Sequence, residues 1–315
     1  MQKRIGILRG GIGENYHHSI KKGGDIISHI FKNLGHKYKP VDILIDKAGA
    51  WHLGGKPIQI SDLMHRIDVV WNVAHANFSH SLDNLSIPHV SPAPFFASLK
   101  QSRELLAEHM RMTGISLPRS ILLPVYQADF DLPSPRLRQG TAADQIKEYA
   151  IRKAQEVHAK FGAPWIVKSF TPETNMGIHL AKTFPELVEA IEDGVKHEKS
   201  ILVEEFIPGK PGSFHSVSGF RGQNVYVFPQ GQESIFSARE RERLGALAQV
   251  LHRHLVAGHY LKSDFLVTPR QKVYLLNFDN VPNLKAGSHL EQSCALVGAK
   301  MEEVVEHMLE SAGKF

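Results

Sequence analysis

One cysteine, Cys294, in 315 residues rules out a disulfide framework and a cysteine-based zinc site, and it fits a reducing compartment. No apolar run approaches the roughly 18 residues that a membrane-spanning helix needs. The basic start Met1-Gln2-Lys3-Arg4 is followed by an apolar stretch too short for a secretory signal, and Arg9-Gly10-Gly11 ends it. Internal repeats and low-complexity segments are missing. No Gly-x-x-x-x-Gly-Lys-Ser/Thr occurs, which excludes a P-loop, and the 19 histidines form no His-Glu-x-x-His pair. Basic residues are scattered or mixed with acids, as in Arg239-Glu240-Arg241-Glu242-Arg243, and no tract interleaves them with aromatics. Nucleic acid and membrane are therefore not expected partners. The expectation is a cytoplasmic protein that handles small molecules.

What is present belongs to a globular chain: 42% hydrophobic and 22% charged residues, and enough length for more than one domain. The formal charge of +5 permits an anionic ligand without identifying one. Residues 1–92 alternate strand and helix signals, with strands near 4–8, 41–45 and 68–73 and a helix over 19–34. The β-branched strands read as a small doubly wound α/β unit. Three prolines in Ile87-Pro-His-Val-Ser-Pro-Ala-Pro94 mark a linker, and one helix is expected over 95–113, stopped by Gly114. Beyond it strands and helices are grouped, which favours α+β subdomains. The divisions expected are 1–92, 93–206 and 207–315.

Several segments carry chemistry. Gly10-Gly11-Ile12-Gly13 follows a strand and opens a helix, where amide groups either hold an anion or simply make a tight turn. Lys168 ends the apolar strand 165–168 and must snorkel to solvent or meet an anion. Glu204-Glu205-Phe206-Ile207 ends another strand with two acids and an apolar pair. Asn277 and Asp279 are two apart on a strand and share a face. A hairpin through 268–271 would bring Asp264 close to them. Three oxygen ligands, two of them anionic, suit magnesium, and the alternative is a polar sheet face.

Taken in order, these segments resemble an ATP-grasp enzyme of the D-alanine–D-alanine ligase family. The matching stretches are Ile5-Gly-Ile-Leu-Arg-Gly10-Gly11 with Ser19 and Gly23, and Pro164-Trp-Ile-Val-Lys168 with Thr174-Asn175-Met176-Gly177. Ile201-Leu-Val-Glu204-Glu205-Phe206-Ile207, Lys262-Ser263-Asp264-Phe265 and Tyr274-Leu-Leu-Asn277-Phe278-Asp279-Asn280-Val281-Pro282 complete the series. The resemblance spans nearly the whole chain. It implies an ATP-grasp fold behind an N-terminal α/β domain, and a carboxylate–amine ligase that uses ATP and magnesium and forms a homodimer. It implies ATP contacts from Arg103, Lys168, Thr174, Glu204, Glu205, Phe206, Ile207 and Phe278, and metal ligands Asp264, Asn277 and Asp279. Lys262 would stabilise an oxyanion, and Asn15 (or Glu14), His75 and Ser288 would orient amino-acid-like substrates.

The chain departs from that family at specific points. Asn277-x-Asp279 replaces a glutamate-x-asparagine metal pair, so two charges are kept with Asp264 but one is moved. Lys262 replaces an arginine, Arg103 stands for a lysine, and Pro211 stands for a ribose-binding glutamate. Residues 76–82 replace a glycine-rich loop. Between Val227 and Phe236 there is no room for the family's lid loop, so an open site is expected, with residues 129–139 as the candidate cover. The same substitutions also fit a degenerate ATP-grasp protein that binds nucleotide, or none, without ligating.

Overall fold

The computed structural model describes residues 2–13, 15–127, 141–170, 176–198, 200–231 and 234–314. These form two compact units. The first comprises Met1–Leu117 and Gly209–Phe315, and the second Pro118–Pro208.

In the first unit, β1 (Lys3–Gly10) lies between β2 (Tyr38–Ile45) and β5 (Val69–Asn72), parallel to both, and β5 pairs in parallel with β6 (His89–Val90). An antiparallel hairpin, β3 (Trp51–Leu53) and β4 (Lys56–Ile58), extends the β2 edge to give the order β4-β3-β2-β1-β5-β6. Strand alternation explains why both faces are covered. Ile5, Ile7, Val69 and Trp71 join a core with Ile26 and Ile30 of α1 (Tyr16–Asn33), while Leu8, Ile43, Val70 and Leu82 of α2 (Asn77–Asn84) fill the other side. The turn between β1 and α1 needs glycine. Gly10 has φ +91°, and a Cβ there would stand 2.1 Å from the Ile45 carbonyl oxygen. Ser19 closes this turn by accepting from Gly10 N (2.9 Å) and donating to Val73 O (2.7 Å).

Where one helix was expected over 95–113 there are two, α3 (Pro94–Gln101) and α4 (Arg103–Arg111). Ser102 leaves helical geometry at ψ 112° and caps α4 by accepting from Leu105 N, an arrangement serine favours over mid-helix placement.

The second sheet of this unit is antiparallel, in the order β12 (Val225–Val227), β11 (Lys210–Ser218), β13 (Tyr260–Val267), β14 (Val273–Asp279). Phe214, Leu261, Phe265 and Phe278 project to one side and pack with Leu244, Ala248 and Leu251 of the helix that follows β12 and with Phe96 and Leu106 of α3 and α4. That helix, α7 (Ala238–His254), opens with a Ser237–Glu240 capping box. The chain closes with α8 (His289–Ala295) and α9 (Met301–Glu310), whose Met301, Val304 and Met308 join the core beneath α1.

The second unit is a four-stranded antiparallel sheet, β7 (Ser120–Leu123), β10 (Ile201–Glu205), β8 (Trp165–Ser169), β9 (His179–Ala181). Two helices, α5 (Ala142–Lys160) and α6 (Phe184–Lys196), cover one face through Tyr149, Val157, Trp165, Val167, Leu187, Ile191 and Val203. Alternation turns Leu122, Lys168, Leu202 and Glu204 to the opposite face.

Candidate active site

Antiparallel pairing sets the register of the polar face in the first unit. His215 stands opposite Lys262, which stands opposite Asp279; Ser213 stands opposite Asp264, which stands opposite Asn277. Directly paired residues share a face, so these six form two rows across β11, β13 and β14. The hairpin expected between residues 264 and 277 is present, with Asn277 Nδ2 3.4 Å from Asp264 Oδ2.

Each carboxylate already has cations. Lys262 Nζ lies 3.0 Å from Asp264, and Ser213 Oγ donates to Asp264 Oδ1. Lys100 Nζ donates to Asp279 Oδ1 at 3.1 Å, and Lys22 Nζ of α1 lies 3.9 Å from Oδ2. Burial pushes the Asp279 carboxyl up, but Lys100, Lys22 and His18 outweigh it and hold it below the usual carboxylate range. Lys22, Lys100, Ser213 and His18 were not expected here. Only the spacing of His18 and Lys22, one helical turn apart, hinted at a shared face; Lys100 carried no local signal.

The other expected residues divide. Asn15 is exposed at the start of α1, and His75 is half-buried after β5, with Nδ1 accepting from Asn77 N (3.2 Å). Arg103 begins α4, whereas the cation that reaches Asp279 is Lys100, three residues earlier. Two expectations need correction. Phe278 lies on the opposite face from Asn277 and Asp279 and packs edge-on against Phe96 at 5.2 Å, so alternation removes it from the polar face. Ser288 is the N-cap of α8; it is buried, and its hydroxyl accepts from Glu291 N (3.3 Å) instead of facing Lys262. Its neighbour His289 is the residue turned toward the polar rows.

On the open face of the second unit, Lys168 Nζ lies 2.6 Å from the buried Glu204 carboxylate, while Glu205, turned to the other face by alternation, pairs with Arg119 at 2.6 Å. Phe206 is exposed beyond the strand end. Lysine and glutamate thus occupy one polar spot beside the paired apolar side chains of Leu122 and Leu202, a surface suited to a ligand with a flat apolar part and an anionic part. Thr174, Glu14 and the candidate cover at 129–139 lie outside the described residues. Among the described residues no three His, Cys, Asp or Glu side chains cluster as a metal site, and no helix is long and apolar enough to cross a membrane.

Residues 127–215 match the family model described as D-ala D-ala ligase C-terminus. A D-alanine--D-alanine ligase of Geobacter sulfurreducens is 23% identical over 98% of this chain and 94% of that protein. One from Pelobacter propionicus is 29% identical over 49% of this chain and 56% of that protein. Among solved structures, the VanG D-Ala:D-Ser ligase of Enterococcus faecalis superposes with a TM-score of 0.66 at 16% identity, covering 98% of this chain and 99% of that one. D-alanyl-alanine synthetase A of Vibrio cholerae gives 0.67 at 14%, covering 99% and 98%. The six-stranded α/β sheet, the two antiparallel sheets and these superpositions show that the chain has the ATP-grasp fold of those ligases, and its sequence is similar to theirs over nearly its whole length.

Proposed function

We propose that this protein is an ATP- and magnesium-dependent ligase that joins a small carboxylate to an amine through an acyl phosphate. The observation that carries the proposal is the polar face of β11, β13 and β14. There Lys262, Asp264, Asn277 and Asp279 stand in register, with Lys262 on Asp264 and with Lys22 and Lys100 converging on Asp279. A half-buried polar sheet face with three ammonium groups over two carboxylates is arranged to receive a more highly charged anion, such as a triphosphate, by handing its lysines over to it.

In this proposal a substrate carboxylate oxygen attacks the γ-phosphorus and ADP leaves. The amine then adds to the acyl carbon, and phosphate departs from the tetrahedral adduct. Lys100, Lys168 and Arg103 neutralise phosphate oxygens, Lys262 faces the oxyanion, and Asn15 and His75 orient the carboxylate substrate. Glu204, Glu205, Phe206 and Ile207 hold the base. Asp264, Asn277 and Asp279 offer only oxygen donors, which fits a hard cation once Lys100 and Lys262 have moved to the phosphates. Magnesium held there would neutralise charge on the transferring phosphoryl group. The divisions at about residues 92 and 206, a cytoplasmic setting, amino-acid-like substrates of the D-alanine class and a homodimer through the N-terminal part belong to the same proposal.

A second function, nucleotide binding without ligation, is favoured by one observation: both metal-position carboxylates carry lysines. The deciding measurement is phosphate release from ATP across a panel of D- and L-amino acids, hydroxy acids and dipeptides, with product masses. Release that depends on one carboxylate–amine pair, with the matching amide mass, supports the ligase. Stabilisation by Mg-ATP (about 2.7 kcal/mol at 100 times the Kd) without release supports the second function. Neither effect overturns both.

A further inference from the structure

Beside Lys262 runs a chain of three groups to which nothing above gives a role. His215 is buried on β11; its Nδ1 lies 2.7 Å from the Tyr260 hydroxyl and its Nε2 lies 2.8 Å from His289 Nδ1. Tyr260, Lys262 and Asp264 alternate on one face of β13, so the chain borders the polar rows. His289 is exposed, and its Nε2 meets no protein group among the described residues. The start of α8 fixes its place: Ser288 accepts from Glu291 N, and the Glu291 carboxylate accepts from Gly287 N at 2.6 Å.

Two hydrogen bonds shared by three neutral groups allow only two proton arrangements. In the first, the Tyr260 hydroxyl donates to His215, whose Nε2–H donates to His289, leaving an N–H pointing outward. In the second, His289 Nδ1–H donates to His215 Nε2, and His215 Nδ1–H donates to the Tyr260 oxygen. His289 Nε2 then presents a lone pair. The second arrangement also needs an acceptor for the Tyr260 proton. Tyr260 lines a cavity of about 10 Å³ together with Asn72, Ser91 and Asn280, and Ser91 Oγ is buried without a partner. That volume and those polar walls suit a single water.

We propose that His289, oriented by His215 and Tyr260, is the general base that takes the proton from the attacking amine; this rests on the ligase function proposed above. His289 Nε2 takes a proton from the substrate ammonium, and the nitrogen lone pair so freed forms the C–N bond while the carbonyl π pair moves to oxygen beside Lys262. The second N–H proton, on the nitrogen of the adduct, is lost to water. The oxyanion then collapses, the C–O bond to phosphate breaks, and phosphate leaves with that electron pair. The resulting imidazolium donates Nδ1–H to neutral His215 and, being exposed, returns its proton to water. The groups facing His289 are His215 from β11, Lys262 and Asp264 from β13, and Ser293 on its own helix. Burial, with Lys262 adding and Asp264 opposing, pushes His289 below its ordinary value, so the base is unprotonated at neutral pH. Burial drives His215 down to about 3, so it stays neutral throughout.

The test compares two nucleophiles in full-length protein with ATP, magnesium and D-alanine as the carboxylate. Hydroxylamine is already unprotonated at neutral pH and traps an acyl phosphate without a base; D-alanine as the amine needs one. His289→Gln is expected to lower kcat for dipeptide formation on the order of 100-fold, with KM for ATP and the rate of hydroxamate formation unchanged. Tyr260→Phe, which removes the oxygen that accepts from His215 Nδ1–H in the second arrangement, is expected to lower dipeptide formation in the same selective way but less. Equal loss of both products in a folded His289→Gln variant, or no loss of dipeptide, overturns the base assignment. Absence of hydroxamate with wild-type protein, for D-alanine and for every other carboxylate of the panel above, overturns the ligase function beneath it, and the base assignment falls with that function.

Discussion

Lys100 and Asp279 are 179 residues apart in the chain, yet Lys100 Nζ donates to Asp279 Oδ1 at 3.1 Å. The contact places the end of α3 over the end of β14 and puts a flexible ammonium where a phosphate oxygen could take it over. Lys100→Met is expected to weaken ATP binding about tenfold, roughly 1.4 kcal/mol, measured by calorimetric titration. Thermal stability should change little, because a half-exposed ion pair contributes under about 1 kcal/mol. A large drop in Tm with unchanged ATP affinity would make the pair structural.

Lys168 and Glu204 behave differently because Glu204 is buried. Lys168→Met leaves a buried carboxylate without its cation and is expected to cost on the order of 2 kcal/mol, reduced from a fully buried pair by the partial exposure of Lys168. Adding Glu204→Gln should restore most of the stability while ATP affinity stays low. Urea unfolding and ATP titration of the single and double variants check this. Restored ATP affinity in the double variant would exclude Lys168 as a phosphate ligand.

The exchanged metal pair can be tested by moving the charge. Asp279→Asn leaves Asp264 as the only charged ligand and is expected to weaken magnesium at least tenfold, read from magnesium titrations of ATP binding. Asn277→Glu combined with Asp279→Asn keeps the charge count, and Asn277 already sits directly opposite Asp264. The double variant should therefore recover magnesium dependence that Asp279→Asn loses. Equal magnesium responses in wild type and all variants would mean that these strands hold no metal.

Glu240 ties three segments together. Its carboxylate accepts from Ser237 N at 2.8 Å, from Gln271 Nε2 at 3.1 Å, and from Lys210. These contacts, the Ser237 amide first, hold its carboxyl down at about 2 against an ordinary 4.5. A depressed carboxylate favours folding above its unfolded value. Its contribution is therefore complete above about pH 4.5 and fades as pH falls toward 2. Glu240→Gln should lower Tm at neutral pH and flatten the fall of Tm between those values. An unchanged acid slope would show that other carboxylates set it.

Coupling offers a last measurement. β12 ends at Val227 and α7 begins at Ala238, leaving no room for a long cover over the polar face. ADP is expected to exceed ligated product, because an acyl phosphate open to water hydrolyses. One product per ADP would assign the cover to another segment.

Much of the polar face was legible from local pattern. A strand repeats every two residues, so Asn277 with Asp279, and Lys262 with Asp264, had to share a face once those segments were strands. Turn chemistry was legible as the glycine run after β1, although the clash that makes Gly10 necessary is with the Ile45 carbonyl of β2. Lys168 could be singled out because a charged residue at the end of an apolar strand demands a partner.

What the tertiary structure decided is which partner. Glu204 reaches Lys168 through the β8–β10 pairing, and Lys22 and Lys100 reach Asp279 from two helices distant in sequence. Local signals misdirected attention to Phe278 and Ser288. Both stand beside site residues in the chain, but strand alternation turns the first into the core and the start of α8 uses the hydroxyl of the second as its cap. His289 gained its place only because β11 brings His215 opposite Lys262. Periodicity fixes which side chains share a face over a few residues. Which faces meet, and which charges end within 3 Å of one another, depends on long-range packing that no short window of sequence encodes.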